Sequence, residues 1–146
     1  MSSLDILTPE SIAPAFPGAK IKNIRTHWPA VREALREDRL ESAKIIAYAL
    51  GTIAAETSGF VPIKEMVSKY NTKVKPYDLY DGRKDIGNTT PGDGARFPGR
   101  GFIQLTGKYN YQKYGERIYV DLIANPELAC DPVPAAKLLA LFVADR

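Results

Sequence analysis

The sequence holds a single cysteine, Cys130, and so cannot close a disulfide within the chain. Set after Ala129 in an apolar stretch, that thiol reads as buried and inert. Histidine is equally scarce, with His27 alone. One histidine and one cysteine fall short of a metal site unless carboxylates supply the rest, so no metal and no cofactor are expected. A Ser–His or Cys–His pair would have to use His27, and no nucleophile motif accompanies it. No apolar run approaches the roughly 18–20 residues of a membrane span. The opening Met1-Ser2-Ser3-Leu4-Asp5 lacks the basic-then-apolar pattern of a secretory leader, so synthesis in the cytoplasm without a signal peptide is expected. Basic residues are scattered rather than clustered, which disfavours a nucleic-acid partner. There is no internal repeat. Gly92-Asp93-Gly94-Ala95-Arg96-Phe97 lacks the third glycine of a dinucleotide loop, and no Gly-Lys-Ser/Thr follows it.

What is present suits one soluble domain over residues 1–146: 45% hydrophobic and 25% charged residues, with a net charge of +3. Three zones stand out. Residues 1–58 read as helical, 59–105 as loop-rich and 106–146 as helical again. Thr8-Pro9-Glu10 is a helix start, cap then proline. A second helix is expected over 29–36. Asp38-Arg39-Leu40-Glu41 resembles a capping box opening a third helix, which runs to 56 or 57 and stops at Gly59. The middle zone is dense in glycine and proline, with short extended pieces expected at Leu79-Tyr80 and Phe102-Ile103-Gln104-Leu105. A loop zone this long inside a compact domain, with aromatic residues recurring through it, points to an ordered functional surface. Thr106 is placed to cap a helix through 117. Asn125-Pro126 opens a short turn of helix. A last helix starts near Pro134 and carries Leu138, Leu139, Leu141, Phe142 and Val143.

On the helix ending near Glu56, Ile45, Ala49, Thr52 and Ile53 share a face, and Glu56 projects onto the same arc. A carboxyl at the rim of an apolar face would have its charged form disfavoured by partial burial, as a general acid requires. The simpler alternative is a helix end with Glu56 in water. Glycosidic cleavage also needs a second carboxylate or a held water. Glu65, Asp78, Asp81, Asp85 and Asp93 are available. Asp93 between two glycines reads as a turn residue and Asp85 as surface, which leaves Glu65 and Asp81. Tyr109, Tyr111 and Tyr114 fit either a sugar-stacking surface or helix packing.

Three segments carry a resemblance: Tyr48-Ala49-Leu50-Gly51-Thr52-Ile53-Ala54-Ala55-Glu56-Thr57-Ser58-Gly59-Phe60, Tyr80-Asp81-Gly82-Arg83-Lys84-Asp85-Ile86-Gly87-Asn88, and the stretch from Gly92 through Arg100-Gly101-Phe102-Ile103-Gln104-Leu105-Thr106 to Tyr111. Together they resemble the family 19 glycoside hydrolases, the chitinase-like group that includes many phage endolysins. The resemblance implies a mostly α, two-lobed lysozyme-like fold with a sugar cleft. It implies hydrolysis of β-1,4 bonds beside N-acetylated sugars, with inversion. It makes Glu56 the general acid and Thr106 the hydroxyl that holds the attacking water. Gln104, Asn110 and Tyr109 become substrate-gripping residues, with Arg100 beside them in the glycine-arginine-glycine segment. The base is Glu65 on the endolysin spacing, or Asp81 on the plant-chitinase pattern. Glu65 ranks first because the turn at Gly59 folds it back toward Glu56. Ala55 stands where the family's histidine is usual, and Tyr119 where glycine is frequent. Family members usually continue past the last helix.

The substrate expected from this reading is bacterial cell-wall peptidoglycan, with the enzyme a monomer released to the wall in endolysin fashion. Chitin is the alternative polysaccharide. A catalytically inactive glycan-binding module and a lytic transglycosylase are the competing classes.

Overall fold

The computed structural model describes residues 2–57, 59–66 and 80–146. Asp78 and the extended piece expected at Leu79 lie outside them. Among the described residues there are seven α-helices: α1 (Ser3–Ile6), α2 (Pro9–Ile12), α3 (Ile21–Glu37), α4 (Ala43–Glu56), α5 (Asp93–Arg96), α6 (Lys108–Arg117) and α7 (Pro132–Ala144). Two short strands, β1 (Ile63–Lys64) and β2 (Arg100–Gly101), pair antiparallel with Ile63 opposite Gly101. Turns of 3₁₀ helix follow α2, precede α5 at Lys84–Ile86 and precede α7 at Pro126–Cys130. The expected mostly helical class holds. No helix among the described residues is long and apolar enough to cross a membrane.

Thr8 caps α2 as expected, its side chain accepting from the Ser11 amide, with Pro9 at the first helical position. The second helix differs. α3 starts eight residues before Pro29 and runs straight through it. Proline in a helix interior costs about 3 kcal/mol. The buried stripe Ile24, Trp28, Val31 and Leu35 outweighs that cost, at about 1.5–3 kcal/mol per fully buried side chain. The capping box expected at Asp38 is not one. Asp38 closes α3, Arg39 takes the left-handed conformation at φ 57°, and the Leu40 amide donates back to the Leu35 carbonyl. This is a Schellman ending without glycine. Ser42 is the true cap of α4, accepting from the Ile45 amide at 3.2 Å. The last helix begins at Pro132, two residues before the expected Pro134.

The core forms two clusters. Trp28, Ile24, Leu35, Ile53 and Leu139 belong to the first, among the first four helices and α7. Phe97, Leu105, Tyr111, Leu122 and Leu138 belong to the second, beneath the loops and α6. Helix α7 feeds both, and Ile103 packs against each. Aromatic rings interlock within the first cluster. Phe16 meets Phe60 edge-on at 4.8 Å, and Phe60 meets Phe102 at 5.9 Å. Cys130 is half-buried rather than buried, and desolvation raises its pKa, which keeps the thiol protonated.

His27 closes that aromatic chain, edge-on to Phe102 at 5.9 Å, and its buried Nδ1 has no hydrogen-bond partner. Burial holds its pKa below the ordinary 6.5. The unfolded chain therefore binds the proton more readily than the folded one, and stability falls as pH drops below about 6.5. Melting curves between pH 7.5 and 5 are expected to show this decline, and His27→Phe should flatten it. An unchanged acid-side slope in the variant would rule His27 out as its source.

Candidate functional site

The site is built on β2 and the turns beside it. Glycine at residue 101, with φ 83°, opens a tight turn that brings Leu105 back to bridge Arg100. A Cβ at 101 would lie 2.7 Å from the Ala129 carbonyl oxygen, so no larger residue fits. The expected extended piece at 102–105 is thus a turn, with Leu105 alone in a bridge. Gln104 sits in it at φ 50°, its Nε2 donating to the Ile63 carbonyl at 2.8 Å and the Gly101 carbonyl at 3.0 Å. It ties β1 to the turn.

Glu65 continues β1. Its amide donates to the Gly99 carbonyl at 2.8 Å, and its Oε1 accepts from the Gly99 amide at 2.7 Å. Its Oε2 accepts from the Tyr80 hydroxyl at 3.1 Å. A Cβ placed on Gly99 would find Gln104 Oε1 at 2.9 Å, Thr106 Oγ1 at 3.3 Å and Glu65 Oε1 at 3.4 Å. Three side-chain oxygens, from β1, the turn and the approach to α6, therefore converge on a spot kept open by the missing side chain. Thr106 donates its proton to the Gln104 carbonyl at 2.9 Å, leaving its lone pairs to accept. It is not the cap of α6 that the sequence suggested. That cap is Gly107, and the first amide of the helix, Lys108, is met by the Oδ1 of the fully buried Asn88 at 2.9 Å. Asn88 also donates to the Tyr80 carbonyl at 3.0 Å, so one side chain fixes both the start of α6 and the residue that holds Glu65. No role was foreseen for Asn88. Its only sequence sign is its place at the end of the second matching segment, because a cap lying twenty residues away leaves no local pattern.

Asp81 lies elsewhere in its contacts. Its two oxygens accept from the Gly94 amide at 2.6 Å and the Gly92 amide at 3.3 Å, holding the start of α5. Glu56 ends α4 as expected, but it is exposed. The buried stripe of α4 runs through Ile46, Ala49 and Ile53, and the buried Thr57 continues it, so the partial burial expected for Glu56 is not found. From there Thr57 and Phe60, the latter buried at φ 57°, lead the chain down into β1. Asn110 donates to the Thr106 carbonyl at 2.8 Å. Arg100 is buried, its Nη1 donating to the Arg96 carbonyl at 2.9 Å and the Tyr111 hydroxyl at 3.1 Å. That places it in the framework beneath the turn. The three tyrosines divide: Tyr111 is fully buried and its hydroxyl is driven to a high pKa by desolvation, Tyr114 is half-buried, and Tyr109 is 56% exposed. Among the described residues no group of three or more His, Cys, Asp or Glu is placed to hold a metal ion.

The sequence model of the glycoside hydrolase 19 family, described as chitinase class I, matches residues 37–144. A relative from Oryza sativa subsp. japonica, Chitinase 11, is 45% identical over 58 residues, covering 39% of this chain and 22% of that protein. A crystal structure of a chitinase C mutant superposes on 92% of the chain with a TM-score of 0.61 at 21% identity. A bacterial family 19 chitinase does so with a TM-score of 0.62 at 20% identity. Both likenesses concern the fold. The chain spans 53% and 65% of those two structures' lengths. The expected order of substrates, peptidoglycan first and chitin second, is overturned here: the matched family and each of these relatives bear the name chitinase. With three quarters of its length inside the match and the corresponding fold around it, the chain belongs to glycoside hydrolase family 19.

Proposed function

We propose that this chain hydrolyses β-1,4 bonds of chitin-type N-acetylglucosamine polymers. The names of its relatives support the substrate, and the convergence of Glu65, Thr106 and Gln104 on Gly99 supports the chemistry. Glu65 is the base. Its carboxylate is held by the Gly99 amide and the Tyr80 hydroxyl, and its Oε1 borders the same open spot at Gly99 as the Thr106 hydroxyl. A water accepted between them loses its proton to Glu65 as it attacks the anomeric carbon, while Glu56 protonates the leaving oxygen. Asp81 accepts from the Gly92 and Gly94 amides at the start of α5, away from the three side-chain oxygens that gather at Gly99, and braces the loop instead. Tyr109 presents an exposed ring for a sugar face, and Gln104, Asn110 and Arg100 keep the turn in shape. No cofactor enters these steps.

The test is hydrolysis of an N-acetylglucosamine hexamer. A directly attacking water inverts the anomeric carbon, so the first products should be α-anomers, read by NMR before mutarotation. Glu65→Gln is expected to lower kcat by about 10²-fold or more. Glu65→Gln at wild-type rate, or β-anomeric products, would refute the assignment of the base.

A further inference from the structure

Tyr119 follows the C-cap of α6, Ile118, at φ 60°. The Val120 amide donates back to the Gly115 carbonyl at 3.0 Å, which makes Tyr119 the left-handed residue of a Schellman ending. Glycine is the residue that fits there without strain. The tyrosine side chain is 96% exposed, so burial returns nothing for that strain. Arg39 closes α3 in the same way, but as a charged group that water solvates. An exposed ring on a strained backbone is the kind of feature retained for binding rather than folding.

The surroundings suit a neutral sugar. Tyr119 borders an open hollow of about 470 Å³ together with Gln112, Gly115, Glu116, Asp121 and Ile123. Amide and carboxylate groups line it beside the ring, offering hydrogen-bond acceptors and a donor to hydroxyls and N-acetyl groups. Along α6, Tyr109, Gln112, Lys113 and Glu116 recur at three- and four-residue spacing on one face and line a second hollow of about 360 Å³. Gln112 and Glu116 border both. Tyr109 stands in the first turn of α6 and Tyr119 just past its end.

We infer that Tyr119 is a stacking platform apart from the Glu65, Thr106 and Gln104 oxygens at Gly99, and that the outer face of α6 between Tyr109 and Tyr119 binds a chain of β-1,4-linked N-acetylglucosamine. The inference rests on the chitin reading above for its ligand class. Tyr119 takes no part in bond cleavage. It raises the residence of the protein on an insoluble polymer, where one ring adds to the grip of the cleft.

The decisive variant is Tyr119→Gly, which removes the ring and relieves the backbone together. It should melt about 2–4 °C above wild type. Its retention on insoluble chitin should fall roughly tenfold, the size of one aromatic stacking contact. Hydrolysis of a short soluble oligomer should stay within about twofold of wild type, and Tyr119→Trp should keep full retention. A better-folded protein that binds worse cannot be explained by damage. Equal retention of Tyr119→Gly and wild type overturns the platform, as does a wild-type protein that chitin does not retain. Tyr119-dependent retention by a wild-type protein that cleaves nothing upholds the platform and removes the hydrolase reading instead.

Discussion

Glu56→Gln is expected to lower kcat on N-acetylglucosamine oligomers by about 10²–10⁴-fold, the usual worth of a positioned general acid. The substitution keeps the shape of the side chain and removes its transferable proton. Glu56 is exposed at the end of α4, so the amide should leave stability within about 0.5 kcal/mol of wild type. Melting temperature and retention on chitin are therefore controls that should not move. Solvent exposure in the free protein is compatible with this role, because bound polymer would itself exclude water from the carboxyl. A loss of less than tenfold would move the acid elsewhere. A wild-type protein with no turnover but firm retention would favour the inactive binding module.

Phe102→Ala carries the largest expected effect on folding. The ring is 1% exposed and meets Phe60 and His27 edge-on, so its removal leaves a cavity where the loop-rich half grips the helices. The cost should be about 3–5 kcal/mol, which at this size lowers the melting temperature by roughly 10–15 °C. Activity should fall as well, even at temperatures where the variant is folded. Phe102 anchors the turn that carries Gln104 and leads to Thr106, and a small displacement there disperses the oxygens around Gly99. A melting shift under about 3 °C would show that the first core cluster does not depend on this contact.

Periodicity found α4 and its end at Glu56, because an apolar face in a window of fourteen residues is a local signal. It found the Thr8-Pro9 start for the same reason. It misplaced the start of α3, since a proline that opens most helices is tolerated inside one whose buried stripe is strong. It misread Asp38 and Thr106 as caps. Both have the right side chain, but Ser42 caps α4 and Asn88 meets the first amide of α6, the latter from a distant segment.

The sequence by itself determined the helical class, the family through the segment from Gly92 to Tyr111, and the roster of polar residues that could act. Residue identity and local spacing are enough for these. Which carboxylate stands beside Thr106 was a tertiary matter. Glu65 and Asp81 are alike in the sequence, both acidic residues in a glycine-rich zone. Strand pairing carries Glu65 to Gly99, whereas Asp81 is held at the Gly92 and Gly94 amides that start α5. Burial likewise separated Tyr109 from Tyr111 and left Glu56 in solvent. These outcomes depend on which segments meet across tens of residues, and packing alone selects those meetings.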